Sequence, residues 1–156
     1  MSDTVTMSRQ RTMPVAPDEA FTRTLEMPLN AIFTRRYGPI PAIRDTAGDT
    51  PWNTPGQRRT IRLADGGSLQ ESLETVEPPH RFTYVLTEPT GPLAPLVERI
   101  DGTWAFEPAG TGTRVTWSWT AHPRAPWTRP LLIAFAAAWR GYADRALEDL
   151  SEALLR

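Results

Sequence analysis

The sequence contains no cysteine and no lysine, and it has only two histidines. Without cysteine there is no disulfide framework and no thiol chemistry. Without lysine there is no Schiff base and no amine nucleophile. All 17 cations are arginines, so any fixed positive charge in a pocket is a guanidinium, always protonated and offering a planar fork of donors. The two histidines stand apart and have no cysteine beside them, which predicts no zinc or other metal. His80 follows Pro78-Pro79 in a turn and is expected in solvent. His122 has the parity opposite to Trp117 and Trp119 and is expected on the outer face. No run of 18 apolar residues is present to span a membrane. The polar stretch Met1 to Met13 lacks the apolar core of a signal peptide, so a cytoplasmic location is the default expectation. The near balance of 17 basic and 18 acidic residues lacks the concentrated positive field that a nucleic-acid partner requires. Gly110-Thr-Gly112 lacks the third glycine and following helix of a nucleotide loop and reads as a hairpin turn. No Gly-x-Ser-x-Gly elbow occurs. No cofactor is expected, and nothing in the sequence signals an oligomeric state.

What is present fits one domain over 1–156, with a hydrophobic fraction of 40%. Thr4 to Val15 reads as a first strand, with Val5, Met7, Met13 and Val15 on one parity and Arg9 and Arg11 interrupting. Pro17-Asp18-Glu19 opens a short helix, since proline suits the first turn and acids suit the positive end of the dipole. A second short helix is expected over Leu29 to Tyr37, ended by Gly38-Pro39. Residues 39 to 56 read as irregular. Gln57 to Ala64 and Ser68 to Val76 flank the hairpin signal Asp65-Gly66-Gly67. His80 to Thr87, Arg99 to Glu107 and Thr113 to His122 read as further strands. From Thr113 to Ala121 the alternation is strict, so this strand has one face to bury. The last 26 residues contain no proline and repeat apolar groups at helical spacing; such a helix is ~39 Å long. Strands run together rather than alternating with helices, which gives an α+β class with an antiparallel sheet.

This order resembles the helix-grip fold of the START and birch-pollen-allergen superfamily, SRPBCC. The local sequence is similar to its polyketide cyclase/dehydrase branch at Ala16-Pro-Asp-Glu-Ala-Phe21, Glu71-Ser-Leu-Glu-Thr-Val-Glu-Pro-Pro-His-Arg-Phe82 and Gly110-Thr-Gly-Thr-Arg-Val-Thr-Trp117. The resemblance spans roughly residues 5 to 155. It implies a curved antiparallel sheet wrapped around the long C-terminal helix, two short helices after the first strand, and a gap between the layers. Members bind lipids, sterols, quinones, plant metabolites or polyketides; some cyclise or dehydrate the ligand, and others only carry it. The superfamily has no universal catalytic signature to transfer.

Alternation places Phe82 and Tyr84, Trp104 and Phe106, and Val115, Trp117 and Trp119 on inward faces. On the helix, Leu132, Phe135 or Ala136, Trp139, Ala143, Ala146 or Leu147, Leu150 and Leu154 fall on one stripe. These aromatics either line a cavity or fill a solid core. Tyr37 and Trp52 belong to a lid-like segment; Trp52 either caps the cavity mouth or packs on its rim. Gly141 inside the helix relieves crowding, allows a bend or is a tolerated neutral position. A three-residue hairpin loop with Leu63 facing Leu69 puts Arg59 opposite Leu73 and makes Arg59 and Glu71 diagonal neighbours on an otherwise aliphatic face. A charge buried there must be paired. The pair either projects into the cavity or forms a salt bridge at the sheet rim. Tyr84 either donates a hydrogen bond to a bound carbonyl or is an ordinary core tyrosine.

Three functions follow in order. The first is binding of a small hydrophobic molecule, lipid- or polyketide-like, with Trp52, Tyr37, Phe82, Trp104, Phe106, Trp117, Trp119, Phe135 and Trp139 as the contact set. The second is a polyketide cyclase or dehydratase that uses Glu71, Arg59 and Tyr84 as its polar cluster. The third is a protein-interaction module, ranked last because the outer faces read as rich in Thr, Ser, Glu and Arg.

Overall fold

The computed structural model describes residues 4–156; residues 1–3, which belong to the expected 1–156 domain and to the polar Met1 to Met13 stretch, lie outside the described residues. The described chain forms β1 (Val5–Met13), α1 (Pro17–Glu26), a 3-10 turn (Leu29–Ala31), β2 (Ile43–Gly48), β3 (Arg58–Leu63), β4 (Ser68–Glu77), β5 (Arg81–Thr90), β6 (Val97–Ala109), β7 (Gly112–Pro123), a second 3-10 turn (Pro126–Thr128) and α2 (Arg129–Leu154). The seven strands make one antiparallel sheet in the order β1-β7-β6-β5-β4-β3-β2. With α2 it is the helix-grip fold, in the α+β class.

Two local expectations are corrected. The segment Leu29 to Tyr37 is not a second helix. Only Leu29–Ala31 closes a 3-10 turn. A helix would spend the Phe33 carbonyl on the Tyr37 N–H. Instead that carbonyl accepts the Ile43 N–H at 2.9 Å, and the Tyr37 N–H goes to the Ile40 carbonyl at 2.9 Å. One short α-helix, α1, therefore follows β1. Residues 39 to 56 are also not wholly irregular, because β2 pairs antiparallel with β3 along the sheet edge. A bulge between Ile43 and Asp45 breaks its register and with it the alternation that would have marked a strand.

Strand β7 is flanked by β1 and β6 along its length. Its inward residues Val115, Trp117 and Ala121 are buried. On β1, Val5, Met7 and Met13 are buried, whereas Arg9 breaks the series and reaches Asp144 of α2 at 3.3 Å. Helix α2 buries Leu132, Ala136, Trp139, Ala143, Leu147, Leu150 and Leu154. Its C-terminal carbonyls would be orphaned. Arg23 of α1 donates to the carbonyls of Leu154 at 2.7 Å and Ala153 at 2.8 Å and so ties the two helices together.

The interior has two regions. Under Phe21 of α1 it is packed: that ring meets Phe82 edge-on (5.7 Å between centroids) and Phe106 (5.4 Å). Toward the start of α2 and the segment Pro39 to Ile43 it is hollow.

Candidate functional site

The hollow is a cavity of about 460 Å³ between the sheet, α2 and the segment that precedes β2. From the sheet, its wall takes Ile61 (β3), Leu69 (β4), Phe82 and Leu86 (β5), Trp104 (β6), and Trp117 and Trp119 (β7). From the other side come Ile32, Phe33 and Ile40, with Leu93 and Leu96 from the loop between β5 and β6. Helix α2 contributes Leu131, Ala134, Phe135, Ala138 and Tyr142. These five recur at helical spacing on a face beside the stripe that packs on the sheet. The sequence pattern reads as a single stripe; of the two helix residues it names as ligand contacts, Phe135 and Trp139, Phe135 lines the cavity and Trp139 does not. Near the start of α2, Trp127, Leu131 and Ile133 are exposed, and Leu131 also belongs to the cavity wall.

Of the nine aromatics expected to contact a ligand, six line this cavity: Trp52, Phe82, Trp104, Trp117, Trp119 and Phe135. Three stand elsewhere. Phe106 belongs to the solid region under Phe21. Trp139 is fully buried behind the wall, packed at a tilt against Trp117 (4.7 Å between centroids) and Trp119 (5.6 Å). Its indole Nε1 has no partner among the described residues. Tyr37 lies over α2, where the absent side chain of Gly141 makes room: a β-carbon built on Gly141 would collide with the Tyr37 ring and hydroxyl. Gly141 is thus relief for a packed ring, one of the three readings its position allowed.

Arg59, Glu71 and Tyr84 bring polar groups to the wall from the adjacent strands β3, β4 and β5. Arg59 and Glu71 are directly opposite each other on β3 and β4, and Ile61 faces Leu69. The expected diagonal register is off by two residues, a slip that leaves facing parity unchanged. The Arg59 Nε donates to Glu71 Oε1 at 2.5 Å, with 9% of Arg59 and 4% of Glu71 exposed. Both line the cavity, so the pair is not a rim salt bridge. Trp52 covers it, with the guanidinium carbon 4.0 Å from the indole centroid. That stacking places Trp52 on the cavity wall, buried, rather than on an outer rim. Burial pushes the Glu71 carboxyl above its ordinary range, and the opposing pull of Arg59 does not cancel it.

Tyr84 lines the same wall. Its hydroxyl accepts the Trp117 Nε1–H at 2.7 Å and the Trp119 Nε1–H at 2.9 Å. Burial pushes the pKa of this phenol up, so it is a neutral hydroxyl. Sequence reasoning missed what holds it there. Tyr84 pairs with Gly102 on β6, and Gly102 pairs with Trp119 on β7. A β-carbon built on Gly102 would collide with ring atoms Cζ, Cε1 and Cε2 of Tyr84. The ring lies across the glycine to reach the indoles. The available signal was a lone glycine inside an alternating strand. Thr24 of α1 was also missed: it lines the cavity, and its buried Oγ1 has no partner among the described residues.

The histidines lie away from this cluster. His80 is exposed in its turn, and His122 is held on the outer face by Asp101 at 2.7 Å. Among the described residues no three His, Asp or Glu side chains gather in a metal-holding group. No helix among them is long and apolar enough to cross a membrane.

The family profile described as "Polyketide cyclase / dehydrase and lipid transport" matches residues 4–154. A search of curated protein sequences returns no match. Among solved structures, ginseng major latex-like protein 151 from Panax ginseng is similar at TM-score 0.72 and 15% identity, over 98% of this chain and 99% of that one. Ara h 8.0201 is similar at TM-score 0.66 and 18% identity, over 97% and 98%. A protein from Thermus thermophilus is similar at TM-score 0.67 and 21% identity, over 97% of both chains. At these identities the structural likeness concerns the fold.

Proposed function

Because the chain belongs to the polyketide cyclase/dehydrase and lipid transport family of the SRPBCC superfamily, we propose that residues 1–156 act as one domain that binds a small hydrophobic molecule, lipid- or polyketide-like, between the sheet and α2. The observation that carries this reading is the cavity itself: about 460 Å³, walled mainly by Ile, Leu, Phe and Trp, with Arg59, Glu71 and Tyr84 among the few polar residues on its lining. That volume falls within the range of about 300–1,000 Å³ typical of small-molecule sites. A guest that buries ~300 Å² of apolar surface gains ~7 kcal/mol at ~25 cal/mol per Å², from which the entropy of association is subtracted. Binding alone needs no reacting group.

Native mass spectrometry of protein purified from its own host tests the proposal. A co-purifying small hydrophobic molecule at one per chain is the expected result. Protein that emerges empty and stays empty against a panel of hydrophobic compounds contradicts it.

One observation favours a second reading, a cyclase or dehydratase. Glu71 faces the cavity with its carboxyl held above the ordinary range by burial, as a proton shuttle requires. Tyr84 lines the same wall as a candidate acid, and Arg59 orients Glu71. In this reading Glu71→Gln abolishes turnover on a substrate the wild type converts; full turnover by the variant removes it.

A further inference from the structure

We propose that this cavity selects neutral guests carrying a carbonyl oxygen, as in a ketone, quinone or ester, and that the Tyr84 hydroxyl is the group that makes the selection. The inference rests on the reading that the cavity holds an apolar guest, and it names the class of guest.

A hydroxyl has one proton to give and two lone pairs with which to accept. On Tyr84 both lone pairs are in use, one by the Trp117 indole and one by the Trp119 indole. An indole N–H is a donor only, so neither partner can exchange roles with the phenol. The remaining capacity is the proton, which the hydroxyl gives to no acceptor among the described residues. Tyr84 lines the cavity, so the free direction is open to a guest. A buried donor left unmatched is costly, and a guest that brings an acceptor oxygen removes that cost. A guest whose only polar group is an N–H finds no lone pair free at this point.

The geometry holds the phenol in this role. Its ring lies in the space over Gly102, and the indoles fix its oxygen from the β7 side. Two N–H groups donating into one oxygen also polarise its O–H bond and make it a stronger donor. Neutrality of the guest follows from the remaining wall. The charges of Arg59 and Glu71 offset each other across their Nε–Oε1 contact, and the other charged residue on the lining, Asp65, is exposed in the turn between β3 and β4, so a net charge carried into the apolar interior of the chamber would lack a free counter-charge.

Two isosteric probes test the inference: 9-fluorenone, and fluorene, in which a CH2 replaces the carbonyl. Dissociation constants of both are measured on wild type and on Tyr84→Phe, and the fluorenone carbonyl stretch is recorded by infrared difference spectroscopy. The ratio of fluorene to fluorenone dissociation constants is expected to fall about three- to tenfold in Tyr84→Phe, the size of one hydrogen bond. The carbonyl stretch is expected at lower frequency on wild type than in hexane, and back at its hexane position on the variant. An unchanged ratio, or a wild-type stretch at the hexane position, overturns the inference and leaves the cavity reading standing. Failure of both probes to bind wild type overturns the two together. If Tyr84→Phe does not fold, Arg59→Met decides: a lowered stretch retained in that variant supports Tyr84 as the donor, and its loss assigns the donor to Arg59 and overturns the inference.

Discussion

Glu71 shows how a single side chain can be legible in sequence yet acquire its character only in the fold. Parity alone set Arg59, Ile61, Leu69 and Glu71 on one face. That assignment survived a two-residue error in register because strand facing repeats every second residue. The balance between burial and pairing was not legible, since it depends on Trp52 covering the pair and on how much water the cavity admits. The balance has a measurable sign. The folded carboxyl titrates above its ordinary range, so the folded state holds this proton more tightly than the unfolded chain does. The resulting stabilisation is complete below the ordinary carboxylate range and is lost as pH rises through the raised folded value. Wild type is therefore expected to lose stability over that window, and Glu71→Gln to lack this part of the loss. Parallel melting curves across pH check this; identical slopes for the two proteins contradict it. Tyr84 was legible as an inward phenol. Its two indole partners were not, because they come from β7, two strands away across Gly102.

At the level of elements, the strands were the readable part and the segment from Leu29 to Gly48 was not. The hairpins at Asp65-Gly66-Gly67 and Gly110-Thr-Gly112 are local events, written in turn residues and alternation. The fate of Leu29 to Tyr37 depends on one long-range exchange, the Ile43 N–H taking the Phe33 carbonyl, which no local pattern records. Edge strand β2 is short and bulged and borrows its regularity from β3. In α2 the apolar residues were visible, but their division between a sheet-facing stripe and a cavity-facing row needed the sheet as a reference. The end of α2 depends on a contact of the same kind. Arg23 satisfies two terminal carbonyls from another helix, where a guanidinium also meets the negative end of the helix dipole. Arg23→Met is expected to cost about 1–2 kcal/mol in urea unfolding and to speed amide exchange at the last turn of α2. Unchanged exchange there would show that the turn closes without Arg23.

Across the whole molecule, the interior is filled unevenly. Phe21 and Phe106 pack together beneath α1 with Phe82 between them and the cavity wall, while the end beneath the start of α2 keeps about 460 Å³ free. Well-packed interiors leave few voids larger than a water molecule, and this one is not explained by packing. The sequence supplied the aromatics for both ends but not their allocation: Trp104, Trp117 and Trp119 became wall, while Phe106 and Trp139 became filling. The most direct test fills the hollow from within. Leu86 points into it from β5, and Leu86→Trp occupies the space a guest would take. Isothermal titration calorimetry with fluorene is expected to show one binding event per chain on wild type and none on Leu86→Trp, with the variant melting no lower than wild type. Binding of fluorene to Leu86→Trp with wild-type affinity, or no binding to either protein, would contradict the account.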